Sequence, residues 1–411
     1  PVNAQDGHGN SAFHLPWAYG LFFIVFKLLS SGASINIVDK DENNALHYAS
    51  GTQGNNREVI ELLIRKGIEV NAQCKNGNTA LHAACQQGVY ENAETLLDSG
   101  AWINIMDNQK DNELHNALCS DEDNRDIIAL LIGKGVDVNS QNENGTTPLQ
   151  RACRNGDYQN AKLLLEVGAT INTTDNGNRN ALHYASESLK VNRDTIKLLI
   201  EEGFHVDAQS QNGTTALQLA CLKGIYENVV ILLDFGASIN IINKMGNNAL
   251  HCAADSHNDN RDILNLLTEN GINVNLQNQN GATALHLACR KGVYENVKLL
   301  LDFGALINTT DKDDKNTLHY ASESQKDNRK LIKLLTEHGI DIDSQNHYGA
   351  TALQLACRQG VYENVKTLLD SGALMKILDQ NNKNALHYAL CSRRDTRMII
   401  KLLIDNGIDM H

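Results

Sequence analysis

Apolar residues along this chain come in short clusters at helical spacing, cut at regular intervals by Gly and Asn. One stretch shows the pattern. Leu285, Ala288 and Cys289 stand at i, i+3 and i+4, one face of a short helix. Thr283 is placed to cap its start, and Gly292 breaks it. Leu299, Leu300 and Leu301 supply the apolar run of a second helix, with Gly304 as a C-terminal stop. Asn280-Gly281, ahead of the first helix, is a hairpin-turn signal. The pattern predicts helix, turn, helix and hairpin finger. One such unit cannot bury its apolar face alone, whereas stacked copies can.

The unit recurs along the whole chain. Thr79-Ala80-Leu81-His82 has counterparts starting at Thr147, Thr215, Thr283 and Thr351, each 68 residues on, and Ser11-Ala12-Phe13-His14 lies 68 residues before it. A second set starts at Asn44, Asn112, Asn180, Asn248, Asn316 and Asn384, again in steps of 68. The sets interleave with gaps of 33 and 35, which gives twelve units. The two extra residues of the longer units fall between their helices. That longer loop carries a column of its own: Arg57, Arg125, Arg193, Arg261, Arg329 and Arg397, each preceded by Asn or, at Thr396, by Thr. Asn and Thr are expected to cap the second helix. The arginines are either solvated or locally paired cations, or a ladder that meets acidic groups on a partner.

A period near 33 with a Thr-Pro-Leu-His-x-Ala-like signature, as in Thr283-Ala284-Leu285-His286-Leu287-Ala288, resembles the ankyrin-repeat family. The resemblance implies an all-α repeat solenoid of helix-turn-helix units with β-hairpin fingers, stacked in a curved, right-angled fashion. It divides the chain into residues 1–5, the tail of an upstream repeat; 6–38, a divergent first repeat; and 39–411, eleven further repeats, the last cut at its finger. Pro1-Val2-Asn3-Ala4-Gln5 matches Glu69-Val70-Asn71-Ala72-Gln73, so further repeats or domains of the same chain are expected. The family's Pro survives only at Pro148, and the finger Gly is replaced at Glu42, Lys110, Asn178, Asp314 and Asn382. Those fingers are expected to turn differently.

Composition narrows the function. The net charge is −13 with both signs scattered, so the clustered cations that nucleic acid or a membrane surface demands are missing. The run Leu21–Phe26 is far shorter than the roughly 20 apolar residues that span a bilayer. Five of the nine cysteines (Cys85, Cys153, Cys221, Cys289 and Cys357) share one repeat position and no CxxC occurs, which reads as packing rather than disulfides or zinc. An intracellular, cytoplasmic location fits, as does delivery into a host cytosol. Nine of fifteen histidines also share one position, a structural hydrogen-bonding role in the family. No nucleotide, metalloprotease, hydrolase or kinase motif is present, so no catalytic residue, metal or cofactor is assigned.

What remains is binding. The resemblance implies a partner on the concave face, made of finger tips and first-helix ends. Arg154, Lys223, Arg290, Lys291 and Arg358 mark a cationic stripe there, and His347 and Tyr348 a finger tip. An acidic protein partner suits the stripe; solvated helix ends are the alternative. In the first unit, Trp17, Phe22, Phe23 and Phe26 form either a distorted junction or an exposed patch that docks another protein. The function expected is a non-catalytic protein-interaction scaffold; the alternative is a structural or spring-like segment of a larger protein such as a membrane channel or toxin.

Overall fold

The computed structural model describes residues 3–9, 11, 22–119 and 124–408. Among them are twenty-three helices: Phe22–Ser30 alone, then eleven pairs ending in Ala385–Leu390 and Arg397–Asp405. They fall into two compact blocks. One comprises Pro1–Ala185 and Asp194–Phe204, the other Ser186–Arg193 and His205–His411. Within each block, helix pairs follow one another at the spacing the sequence predicts.

Short repeats have a first helix of eight residues, such as Ala80–Gln87, ended by a left-handed glycine, Gly88 (φ 77°), whose N–H reaches the Ala84 and Cys85 carbonyls. Only Gly88 and Val89 separate it from the second helix, Tyr90–Asp98. Long repeats trim the first helix, as in Ala45–Ser50, and run through Gly51–Asn56 before Arg57–Arg65 begins. The extra length is therefore all loop. Leu46, Ile60, Leu63, Leu81, Cys85 and Leu96 are fully buried and build the core between such helices. The five cysteines of the repeat column are all buried free thiols, and burial pushes each well above the ordinary thiol pKa.

The fingers are hairpins reduced to their turns, with two isolated bridges, Gln5 to Ser11 and Gln345 to Thr351, and no longer ladder among the described residues. The Asp39 carboxylate accepts the N–H groups of Asp41 (2.9 Å) and Asn43 (2.8 Å), shaping the loop from inside. Neighbouring fingers share a backbone bond each, such as Asn108 N–H to Asn76 O and Lys312 N–H to Asn280 O, both 2.9 Å. Gly281 is required at one of these contacts: its φ is +79°, and a Cβ would lie 2.8 Å from the Lys312 nitrogen. The expectation of a different turn where Gly is lost is overturned. Glu42, Lys110, Asn178, Asp314 and Asn382 have φ between 56° and 64°. They donate to the carbonyl three residues back, Glu42 to Asp39 and Lys110 to Asp107, as Gly77 does to Cys74. The internal Asp bonds hold the left-handed turn against the Cβ penalty.

Candidate partner-binding surface

Three buried polar columns position the surface. The first caps the first helices. The Thr79 side chain accepts from His82 N–H, and the Thr79 N–H donates to His82 Nδ1. A carbonyl can only accept, so His82 Nε2 carries the proton it gives to Ile105 O, 3.0 Å away. The imidazole thus fastens a first helix to the chain leading into the next finger. In other short repeats Gln does the same: Gln218 Nε2 donates to Ile241 O (2.7 Å) and Asn247 O (3.1 Å). Burial holds the His82, His251 and His319 imidazoles below their ordinary pKa and drives His115 and His286 to about 4.

The second column ties fingers to first helices in four long repeats. Tyr48, Tyr184, Tyr320 and Tyr388 donate their hydroxyls to Asp39, Asp175, Asp311 and Asp379. Burial raises the Asp39 carboxyl, but the hydrogen bonds from Tyr48, Asn43 and Asp41 outweigh it and leave its pKa lowered.

The third column was not recognised in the sequence. Asn56, Asn260 and Asn328 stand at the start of second helices but make no side-chain cap bond. This corrects the capping expectation. Asn260 instead sends its amide back to Ala253 O (2.9 Å) and Cys221 O (3.3 Å), while its N–H donates forward to Asn296 Oδ1 (2.9 Å). Asn296 completes the clamp by donating to Asn258 O (3.1 Å). Asn92 and Asn364 treat the loops before them in the same way. The available signal was an Asn two residues after each Tyr of the short repeats, from Asn92 to Asn364.

Fingers and first helices so fixed line shallow recesses. In the first block one is walled by Asn43, Tyr48, Gly51, Asn76, Ala83 and Gln86. In the second, Tyr348, Arg358, Asp379, Lys383, Tyr388 and Cys391 surround another.

The residues singled out from sequence distribute as follows. Arg57 pairs with Glu61 (3.2 Å) and with Glu94 of the next repeat (3.6 Å). Arg261 meets Asp259 (2.8 Å) and Glu295 (3.7 Å), Arg329 meets Asp327 and Glu363 (3.3 Å), and Arg397 meets Asp395. Arg125 and Arg193 begin second helices at the same position. Arg290 and Lys291 both close on Asp255, at 2.7 and 3.4 Å, and Lys223 lies 4.0 Å from Glu187. Arg154 and Arg358 are exposed. His347 stacks edge-on against Tyr348 and approaches Asp314 at 3.9 Å; Tyr348 is 58% exposed. In the apolar group, Phe23 (69% exposed) and Phe26 (43%) face outward, with Lys27 over the Phe23 ring. Phe22 begins the helix Phe22–Ser30, and Trp17 lies outside the described residues. No group of His, Cys, Asp or Glu suited to a metal ion occurs among the described residues, and no helix there is long and apolar enough to cross a membrane.

These features define a tandem helix-pair repeat protein with a finger-lined surface. A family profile for ankyrin repeats matches residues 13–107, 114–210, 189–278, 256–346 and 324–411, and the chain belongs to that family. Over 99% of its length it is 27% identical to the human "Transient receptor potential cation channel subfamily A member 1", of which it covers 40%. It is 26% identical to the Arabidopsis thaliana "E3 ubiquitin-protein ligase KEG" over 85% of this chain and 20% of that one. With the Danio rerio "Putative palmitoyltransferase ZDHHC13" it shares 32% identity over 47% of this chain and 30% of the relative. The chain thus spans less than half the length of each of these relatives. Ankyrin repeats are generally non-catalytic interaction scaffolds.

Proposed function

We propose that this chain is a scaffold that seats a protein partner in the recesses between fingers and first helices. One observation carries the reading. Positions that hold the fold repeat from unit to unit, whereas those facing the recess differ. The capping Thr recurs at Thr79, Thr147, Thr215, Thr283 and Thr351, yet the recess position seven residues on reads Gln86, Arg154, Leu222, Arg290 and Arg358. Packing and capping do not call for that diversity; recognition of a shaped, chemically uneven partner does. Nucleic acid is disfavoured by the net charge of −13, and an intracellular, cytoplasmic setting suits the free thiols. The test is affinity capture with the intact chain, repeated with variants. Substitutions at Gln86, Arg290 and Arg358 are expected to cut recovery of the captured partner about tenfold, and substitutions at the exposed second-helix residues Lys333 and Glu337 to leave it unchanged. The opposite outcome overturns the reading.

A second reading has its own support. The alignment with the human channel runs over 99% of this chain. On that reading the repeats are a structural or spring-like segment of a larger membrane protein. The complete transcript decides it: runs of roughly 20 apolar residues beyond the repeats are expected, and their absence from the full reading frame defeats the idea.

A further inference from the structure

The charge along the first-helix ends differs between the two blocks. In the second block Lys223, Arg290, Lys291, Lys326, Arg358 and Arg394 stand at the ends of first helices or in the loops that follow. Matching positions in the first block hold Gln86, Gln87, Arg154, Asn155, Gly54 and Glu122, with one cation and one acid among them. A cationic row thus sits on one block of a chain whose net charge is −13.

Part of the row is joined by direct contacts. Lys326 Nζ donates to Lys291 O (3.0 Å), capping the carbonyl end of the helix Ala284–Lys291. Arg394 reaches Gln325 Oε1 (3.1 Å), beside Lys326. Within the row Lys223 lies 4.0 Å from Glu187, and Asp255 is held by two cations, Arg290 and Lys291. The equivalent acid one pair further on is Glu323, but Lys315 takes it at 2.7 Å. Arg358, the counterpart of Arg290, makes no ion pair among the described residues, and it lines a recess with Tyr348, Lys383, Tyr388 and Asp379, whose carboxylate is taken by the Tyr388 hydroxyl and the N–H groups of Asn381 and Lys383.

Resting on the scaffold reading above, we infer that the first-helix edge of the second block binds an extended acidic peptide. Asp255 occupies the Arg290–Lys291 position from within, and Arg358 is the open position a pair later. Spaced carboxylates match spaced cations on this edge. A phosphate polymer fits less well, because its affinity rests on densely clustered cations and those on this edge are few and spaced. Charge complementarity of this kind sets encounter rate and register more than raw affinity, and it weakens with salt.

The test uses the intact chain and a short labelled peptide of alternating Glu and Ser, read by fluorescence anisotropy. The paired change Arg290→Glu with Arg358→Glu is expected to weaken binding about tenfold or more, and Lys162→Glu, on an exposed second-helix face of the first block, to leave it unchanged. Asp255→Asn removes the internal competitor and is expected to tighten binding roughly threefold, a gain that misfolding cannot mimic. No tightening in Asp255→Asn, equal loss in Lys162→Glu, or preferential binding of inorganic polyphosphate or of phosphatidylserine vesicles overturns the inference. If the peptide fails while recess variants still abolish partner capture, the scaffold reading stands and the acidic partner class falls.

Discussion

Asn296 offers the sharpest test of what joins one repeat to the next. It is fully buried in the second helix Tyr294–Asp302, accepts Asn260 N–H and donates to Asn258 O. In Asn296→Ala both bonds go. The Asn260 N–H is left unmet in a residue that is itself buried, whereas Asn258 O borders an exposed loop residue that water can reach. An unmet buried donor costs about 1–3 kcal/mol and a lost satisfied bond about 1 kcal/mol, so the variant should lose about 2–4 kcal/mol. Urea unfolding followed by circular dichroism measures the total. Because a repeat touches only its neighbours, hydrogen exchange should quicken in the loop around Asn258–Asn260 and in the helix Tyr294–Asp302, leaving the first block as it was. Lys298→Ala, on the solvent side of the same helix, serves as control and should stay within about 0.5 kcal/mol. A loss below about 0.5 kcal/mol in Asn296→Ala, or protection lost evenly along the chain, would refute the clamp.

Other consequences follow from buried titratable groups and strained turns. Burial raises the Glu113 carboxyl from 4.5 to about 6 while it accepts the N–H groups of Asn104 and Ile105. Its charge therefore destabilises the fold above pH 6, and the penalty eases as pH falls toward 4.5. Glu113→Gln removes this titration but leaves one of the two N–H groups facing its NH2, so its stability relative to the parent should be about 2 kcal/mol better at pH 7.5 than below pH 4.5, as thermal melts across pH will show. His286 behaves oppositely: burial lowers it from 6.5 to about 4, so its contribution is whole above pH 6.5 and is lost as pH falls toward 4. His286→Gln, the residue already present at Gln218, should leave neutral stability unchanged and gain about 2 kcal/mol at pH 4.5 in the same melts. Lys110 is exposed and holds φ 60° in its finger turn, so Lys110→Gly should stabilise by about 1 kcal/mol in urea unfolding.

Much of the architecture was legible because it rests on short-range rules. Leu285, Cys289, Gly292 and Gly304 report helix face, helix break and helix stop within one unit. The rest depends on bonds between units. An Asn in the first turn of a helix reads as a polar surface residue, and only the loop of the preceding repeat shows that Asn296 faces inward. The turns at Glu42 and Lys110 looked anomalous because the missing Gly was visible and the compensating Asp bonds were not. The stripe of cations was visible too, but not its matching. Arg290 and Asp255 are neighbours only once two repeats stack, so the sequence alone could not separate cations already paired from Arg358, which makes no ion pair among the described residues.

The same bonds give a physical reason for the 68-residue period of the sequence, a pair of repeats rather than a single one. Asn260 bonds the short repeat before it through Cys221 O, its own first helix through Ala253 O, and the short repeat after it through Asn296. Excising residues 273–340 removes one whole pair and brings Asn364 to the place of Asn296. Asn364 already makes both bonds to the loop before it, at Asn328 N–H (2.7 Å) and Lys326 O (2.9 Å). Excising only the short repeat brings up Leu331 instead, which aligns with Asn296 in the long repeats and has no hydrogen-bonding group. The pair deletion should therefore keep slow exchange at Asn260 N–H. The single deletion should lose it and melt at lower urea by an amount matching Asn296→Ala. Equal protection at Asn260 in both would mean that shape alone joins these repeats, and that the two-residue insertion serves only to lengthen a loop.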